Sequence, residues 1–273
     1  ADKRAYVLAD NQLATKAGWD RELLALEFQG LIDLGFDVSL AGFEVAEVDF
    51  IIEAERAKHE DDIEKPLPAT GPPVTQRGDV WRLGTHRIIC GDARDLKAYQ
   101  SLMGGERADL VFTDPPYNVP IDGFVGGKGR IKHREFEVGS GEMSEDEFTN
   151  FLTDVLGLAA NHSVDGSIHF VCMDWRHLME LMQAGRAVYN EMKNMIVWAK
   201  DNAGMGTFYR SQHELIFAFK HGTAPHINTF ELGQHGRSRS NIWKYAGVNT
   251  MKADRLEELA MHPTVKPLAL VAD

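Results

Sequence analysis

The stretch Ala108-Asp109-Leu110-Val111-Phe112-Thr113-Asp114-Pro115-Pro116-Tyr117-Asn118 decides how the remainder of the chain is read. Leu110, Val111 and Phe112 make a short, continuous apolar run bounded by turn residues, which predicts a strand buried in the middle of a parallel sheet. Pro115 and Pro116 lack backbone donors and hold φ near one value, so neither a strand nor a helix runs through them. Asp114 and Tyr117 are therefore expected on a stiff loop at the strand's carboxyl end, where open α/β sheets receive their ligands.

Around this stretch, 273 residues with 44% hydrophobic content suffice for one large domain and a smaller appendage. No apolar run approaches membrane-spanning length and no signal peptide precedes the first helix, so the expectation is a cytoplasmic protein without membrane association. Cys90 and Cys172 are the only cysteines. Each sits in an apolar, strand-like run and is expected as a reduced core thiol rather than half of a disulfide or a metal ligand. The net charge of −12 excludes a protein coated in basic surface. It leaves nucleic acid open, because phosphate binding requires only a local cluster of Lys and Arg. The chain starts at Ala1 without a methionine and stops at Leu270-Val271-Ala272-Asp273, inside an expected helix, which is the pattern of a fragment.

Upstream, residues 1–60 are expected to be helical. Asp20 caps a helix with Leu23, Leu24, Leu26, Phe28, Leu31, Ile32 and Leu34, dense enough to be mostly buried, and Gly35 stops it. A second helix is expected over 46–58. The bland reading is a small bundle, which composition slightly favours, and the sharper one is a DNA-binding or regulatory module. Glu60-Asp61-Asp62, Pro66, Pro68, Gly71, Pro72 and Pro73 then mark a linker, with the boundary over 61–77. Asp79-Val80-Trp81-Arg82-Leu83, a Gly84-Thr85 turn and His86-Arg87-Ile88-Ile89-Cys90 predict a hairpin whose second strand enters the core. After Gly91-Asp92 a helix over 94–103 leads back to the opening stretch. Strand, acid, helix, strand, acid is the order of a Rossmann-like sheet.

Downstream, residues 118–143 show no periodicity and hold Gly123, Gly126, Gly127 and Gly129 together with Lys128, Arg130, Lys132, His133 and Arg134. This suits a mobile loop on a phosphate backbone or, equally on composition, a solvated surface loop. Ser144-Glu145-Asp146-Glu147 is a capping box starting a helix to about residue 160. A strand is expected over 167–173, a helix capped by Asp174 to about 184, and strands over 194–198 and 213–219. Residues 221–261 mix basic and aromatic side chains, notably Arg237, Arg239, Trp243, Lys244 and Tyr245, which suit phosphates, base edges and stacking, though a structural loop has the same composition. In His262-Pro263-Thr264-Val265-Lys266-Pro267, Pro263 and Thr264 suit a helix start with donors free for an anion. No dinucleotide or P-loop glycine motif occurs, and the histidines lack metal-ligand spacing, so no metal is expected and His213-Glu214 is read as a polar pair at a strand start.

Asp-Pro-Pro-Tyr at a strand end suits chemistry on the exocyclic amino group of a planar base. Asp114 accepts one amino hydrogen and the Pro115 carbonyl the other, which draws the nitrogen towards tetrahedral geometry and frees its lone pair. Tyr117 offers a flat face to a base flipped from a duplex.

Thr113-Asp114-Pro115-Pro116-Tyr117-Asn118 resembles the catalytic motif of the amino-directed DNA methyltransferases that use S-adenosylmethionine. His262-Pro263-Thr264-Val265-Lys266-Pro267 resembles the segment these enzymes set beside the cofactor's methionine end, and Ile88-Ile89-Cys90-Gly91-Asp92 the one whose acid lies near its adenosine. The order is that of the circularly permuted β group, and Trp198-Ala199-Lys200 followed by His213-Glu214 matches as well. Leu8-Ala9-Asp10-Asn11-Gln12-Leu13, Gly18-Trp19-Asp20 and Leu34-Gly35-Phe36-Asp37 resemble the tail of a ParB-like domain fused to such methylases in bacteria and their phages. The resemblance implies a ParB-like remnant over 1–60 and a methyltransferase domain over 78–273, with a Rossmann-like, circularly permuted α/β sheet. The family's Phe-x-Gly-x-Gly cofactor loop is expected beyond Asp273.

It further implies adenine N6-methylation of double-stranded DNA with S-adenosylmethionine. Asp114, Pro115, Pro116 and Tyr117 carry catalysis, and Asp92, Asp114, Thr264 and Lys266 contact the cofactor. Lys128, Arg130, Arg134, Arg237 and Arg239 are expected, from their basic charge, to contact DNA. Homodimers are common in the resembling group, while composition establishes none. The rivals are a cytosine N4-methyltransferase and a non-catalytic DNA-binding module; an aspartate at the first motif position leans towards adenine, because the cytosine enzymes more often begin with serine.

Overall fold

The computed structural model describes residues 20–34, 36, 38–41, 43, 48, 51–52, 73–120, 137–201, 203, 208–228, 239–247 and 265–272. The chain divides into two compact units, Ala1–Ile63 with Asn228–Ser240, and Glu64–Ile227 with Asn241–Asp273.

In the first unit, α1 runs over Arg21–Asp33, and the Asp20 carboxylate accepts hydrogen bonds from the backbone N–H groups of Glu22 and Leu23. That cap satisfies two of the donors a helix start leaves without intrahelical partners. Leu24, Ala25 and Phe28 are buried with Val38, Val48, Ile51 and Ile52, and Phe43 meets Phe28 edge-on at 4.9 Å between centroids. The helix is amphipathic rather than mostly buried, because Leu23, Leu26 and Leu34 stand exposed. Most of the helix expected over 46–58, Gly35 and most of the linker lie outside the described residues.

The second unit has the expected α/β architecture with its parallel sheet corrected to a mixed one. Strands β1 (Val80–Leu83) and β2 (His86–Ile89) form an antiparallel hairpin. Helix α2 (Leu96–Met103) follows, then β3 (Ala108–Thr113), α3 (Glu145–Asn161), β4 (Ser163–Met173), a 3-10 turn over Trp175–His177 and α4 (Leu178–Val188). Strands β5 (Glu191–Ala199), β6 (His213–Lys220) and β7 (Ile242–Lys244) and the short α5 (Leu268–Ala272) complete it. The five-stranded sheet has the order β3-β4-β6-β5-β7. β6 runs antiparallel to β4 and β5, while the β3–β4 and β5–β7 pairs are parallel.

Alternation along β4 and β6 sends residues to two cores, as strand geometry requires. Val171, Met173, Leu215, Phe217 and Phe219 pack under α3 and α4 with Phe148, Leu152 and Leu181. Cys172, Ile216 and Ala218 face the other way, with Ile196, Trp198 and Leu270. Covered on both faces, Leu215-Ile216-Phe217-Ala218-Phe219 is continuously apolar.

Four local expectations are corrected. β3 lies at an edge of the sheet, not in its middle, and Leu110 is 56% exposed, because β4 is its only strand partner among the described residues. β2 ends the hairpin without joining the five strands, which leaves Cys90 exposed, while Cys172 is buried. Asp174 caps the 3-10 turn, and α4 begins only at Leu178. The last helix starts at Leu268, after Pro267 rather than at Pro263. No helix among the described residues is long and apolar enough to cross a membrane.

Candidate active site at the carboxyl edge of the sheet

β3, β4 and β5 run in one direction and β6 in the other, so the ends of the first three and the start of the fourth meet at one edge. Met173 pairs with Leu215, and Ala199 with His213. That edge therefore gathers Asp114 after β3, Lys200 after β5 and Glu214 at the start of β6. Glu214 shares its face of β6 with Ile216 and stands opposite Trp198.

The turn after β3 is braced from outside itself. Asn118 takes a left-handed φ of 52° and is buried. Its side-chain nitrogen donates to the Met143 carbonyl at 2.9 Å, and its oxygen accepts from the backbone N–H of Gly141 and Met143 at 3.1 and 3.3 Å. The Glu142 carboxylate accepts from Gly139 and Ser140 at 2.6 and 2.5 Å. Both ends of the long segment after the motif are thus tied together, and Pro116 lies against Gly139. The capping box of Ser144 and Glu147 then starts α3 as expected.

Inside this frame five side chains form one polar network. Lys266 Nζ donates to Asp114 Oδ2 at 2.7 Å and lies 3.2 Å from Glu214 Oε2. Lys200 Nζ pairs with Glu214 Oε1. The Tyr117 hydroxyl lies 2.8 Å from Asp114 Oδ1 and 3.1 Å from Glu214 Oε2, and with one proton it donates to one carboxylate at a time. The Lys266 ammonium also sits 5.4 and 5.9 Å from the ring centroids of Tyr117 and Trp198, and that of Lys200 4.4 Å from Trp198. Trp198 is itself anchored by donating to the Tyr245 carbonyl at 2.9 Å.

Burial sets the electrostatics. The Lys266 side chain is 9% exposed. Burial disfavours its ammonium, but the Glu214 and Asp114 carboxylates outweigh that and raise its pKa. Burial likewise opposes ionisation of Glu214, and Lys266 and Lys200 overcome it, holding the carboxyl below its usual range. Burial, with Glu214 and Asp114 alongside, pushes Tyr117 well above the ordinary phenol value, so its hydroxyl keeps its proton. Burial also pushes the Cys172 thiol up, leaving it inert.

Of the residues expected from sequence, Asp114, Tyr117 and Lys266 come together, with Pro115 buried beside them. The Tyr117 ring packs against both cores of the unit instead of standing open as a stacking platform. Asp92 lies apart, after β2. It accepts from the Arg94 backbone at 2.9 Å and from Arg94 Nε and Nη2 at 3.1 and 2.8 Å, and Arg77 lies 3.3 Å away. The Arg94 side chain is the main reason its pKa falls to about 2. Arg239 falls in the first unit. Thr264, Lys128, Arg130, Arg134 and Arg237 lie outside the described residues. Sequence reasoning missed Glu214 and Lys200. Their signal was a charge flanking an apolar run, Lys200 after Met195-Ile196-Val197-Trp198-Ala199 and Glu214 before Leu215-Ile216-Phe217-Ala218-Phe219.

Comparison with known proteins adds to this geometry. The sequence model of the DNA methylase family (N6/N4 type) matches residues 108–273, and that of the ParB-methyltransferase helix-turn-helix domain matches residues 22–77. The type II methyltransferase M2.MboI of Moraxella bovis is 23% identical over 175 residues, which are 60% of this chain; the chain spans 61% of that relative's length. Among solved structures, M1.HpyAVI is 16% identical with a TM-score of 0.38, covering 64% of this chain and 74% of that one. A DNA modification methylase of Thermus thermophilus is 18% identical with a TM-score of 0.36, covering 63% and 72%. Scores at this level add nothing to the match over residues 108–273.

Proposed function

The chain belongs to the DNA methylase family, and on that premise we propose that it transfers a methyl group from S-adenosylmethionine to the N6 amino group of adenine in double-stranded DNA. The observation that carries the reading is the Asp114 carboxylate at the carboxyl end of β3, partly exposed and linked to Lys266 and Tyr117. Asp114 and the Pro115 carbonyl each accept one hydrogen of the target amino group, and the proline pair stiffens the backbone that carries both acceptors. The side chains contribute positioning and polarisation of the amino group and form no covalent bond to the base. Tyr117, kept protonated, has its hydroxyl within hydrogen-bond reach of Asp114 and of Glu214 and can donate to either.

The donor set fits the cofactor chemically. Lys266 is a buried amine whose pKa the Glu214 and Asp114 carboxylates raise, which suits it to a carboxylate, and Asp92 is an ionised carboxylate suited to hydroxyl or amino donors. When bound, the cofactor supplies an electrophilic methyl group. We assign the ParB-like part to 1–60, the linker to 61–77 and the methyltransferase domain to 78–273. Arg239, with Lys128, Arg130, Arg134 and Arg237, is proposed to contact DNA, and Thr264 to contact the cofactor.

The test is transfer of labelled methyl to duplex DNA followed by nucleoside digestion, with N6-methyladenine expected and N4-methylcytosine deciding for the other amino group. Asp114→Ala is expected to lower transfer by about a thousandfold or more while cofactor binding measured by calorimetry persists. Wild-type-like turnover in that variant contradicts the assignment.

A further inference from the structure

We propose that Glu214, gripped by Lys200, is a positioning residue for methyl transfer: it offers Lys266 and the Tyr117 hydroxyl a second carboxylate, so that Asp114 can turn to the target amino group without stranding a buried cation. The proposal rests on the reading of Asp114 given above and names the group that makes Asp114 available.

Asp114 faces a conflict. Each of its two oxygens already accepts a hydrogen bond, from Lys266 at 2.7 Å and from Tyr117 at 2.8 Å, and these donors compete with an incoming amino group for its lone pairs and its charge. Lys266 cannot retreat to water at little cost, since its side chain is 9% exposed and a buried charge needs a partner. Glu214 resolves this, because its Oε2 already stands 3.2 Å from Lys266 and 3.1 Å from the Tyr117 hydroxyl. Both donors can therefore pass from Asp114 to Glu214 through small movements. Lys200 holds Glu214 Oε1 whichever way they turn, so Glu214 remains an anion throughout. Two carboxylates and two ammonium groups balance before and after the exchange, and no net charge is buried or released.

The test uses the whole protein with duplex DNA, following labelled methyl transfer, cofactor binding by calorimetry and thermal midpoint. Glu214→Gln keeps the shape and removes the charge. It is expected to lower kcat/KM about a hundredfold with cofactor binding close to wild type. Glu214→Asp keeps the charge on a shorter arm and is expected to recover about tenfold or more of that loss. A purely architectural Glu214 gives the reverse ranking, glutamine above aspartate, and that ranking overturns the proposal. So does wild-type turnover in Glu214→Gln. A crystal structure of Glu214→Gln provides a readout apart from turnover, with Lys266 expected on Asp114 alone; Lys266 turned away from Asp114 counts against the exchange. Wild-type protein that transfers no methyl removes the functional reading and this inference together. Transfer lost in Asp114→Ala but kept in Glu214→Gln removes the inference only.

Discussion

The turns after β2 and β3 carry the same device, an aspartate at a strand's carboxyl end gripped by basic side chains, and hold it by different means. Asp92 is bound by Arg94, two residues on, and by Arg77 across the hairpin. Asp114 is bound by Lys266, 152 residues on, with Tyr117 linking it to Glu214. Around Asp92 the Arg94 and Arg77 side chains are 42% and 74% exposed, so water and salt reach the ion pairs and each contributes little. Around Asp114 the Lys266 and Glu214 side chains are 9% and 17% exposed, so these charges depend on one another. A local grip needs only neighbouring residues, whereas the distant one exists only while four strands are in register.

The sharpest way to break this comparison is to strand the buried charges. Glu214→Ala leaves Lys200 without its carboxylate and Lys266 with Asp114 alone, and is expected to cost about 3 kcal/mol in urea unfolding. A cost below about 1 kcal/mol would mean that the network is solvated and no different from the Asp92 pair.

Next in size are the glycines that seat the two turns. Gly139 has a φ of +77°, and a Cβ there would stand 2.5 Å from Pro116 Cβ; Gly139→Ala is expected to cost about 2 kcal/mol. A Cβ at Gly91 would stand 3.3 Å from Ala98 Cβ, a contact a few tenths of an ångström can relieve, so Gly91→Ala is expected to cost less than about 1 kcal/mol. Thermal midpoints of the two variants give the ranking directly.

The smallest effect is expected at Asp92. Asp92→Ala should cost less than about 1 kcal/mol at low salt, shrinking further at high salt. Its pKa lies at about 2 in the folded protein and is 3.8 for the free group. The native state thus holds its proton less tightly. The stabilisation is whole above pH 3.8 and is lost as pH falls from there towards 2. Comparing wild type with Asp92→Ala across that window isolates it, and a difference at neutral pH that survives high salt would place Asp92 with the buried network instead.

Features legible in the sequence were those whose physics is local. Asp20 and the Ser144–Glu147 box mark helix starts because a cap bonds to backbone two or three residues away. The double proline after Asp114 marks the end of a strand because ring closure alone forbids its continuation. Features that were misread depended on what packs against them. Ile88-Ile89-Cys90 is apolar enough for a core strand, yet its hairpin stays outside the five-stranded sheet and Cys90 is exposed. The apolar run of β3 announced a central strand, but a run of side chains does not reveal how many neighbours pair with it. Glu214 looked like a polar strand start because burial of a charge depends on the partners that meet it, and both lysines come from other segments.

The sequence by itself determined the Asp114–Tyr117 stretch, its rigidity and the family to which the chain belongs, since a proline-locked turn and an acid's charge need no tertiary partner. Only the tertiary structure decided which cations that acid would meet. The end of β5 brings Lys200, and the start of the antiparallel β6 brings Glu214, to the edge where Asp114 emerges, and a later segment sets Lys266 between the two carboxylates. Charges so far apart in sequence attract only weakly through water, and they become one network because burial of the apolar strands carries them to a shared edge and removes the solvent between them.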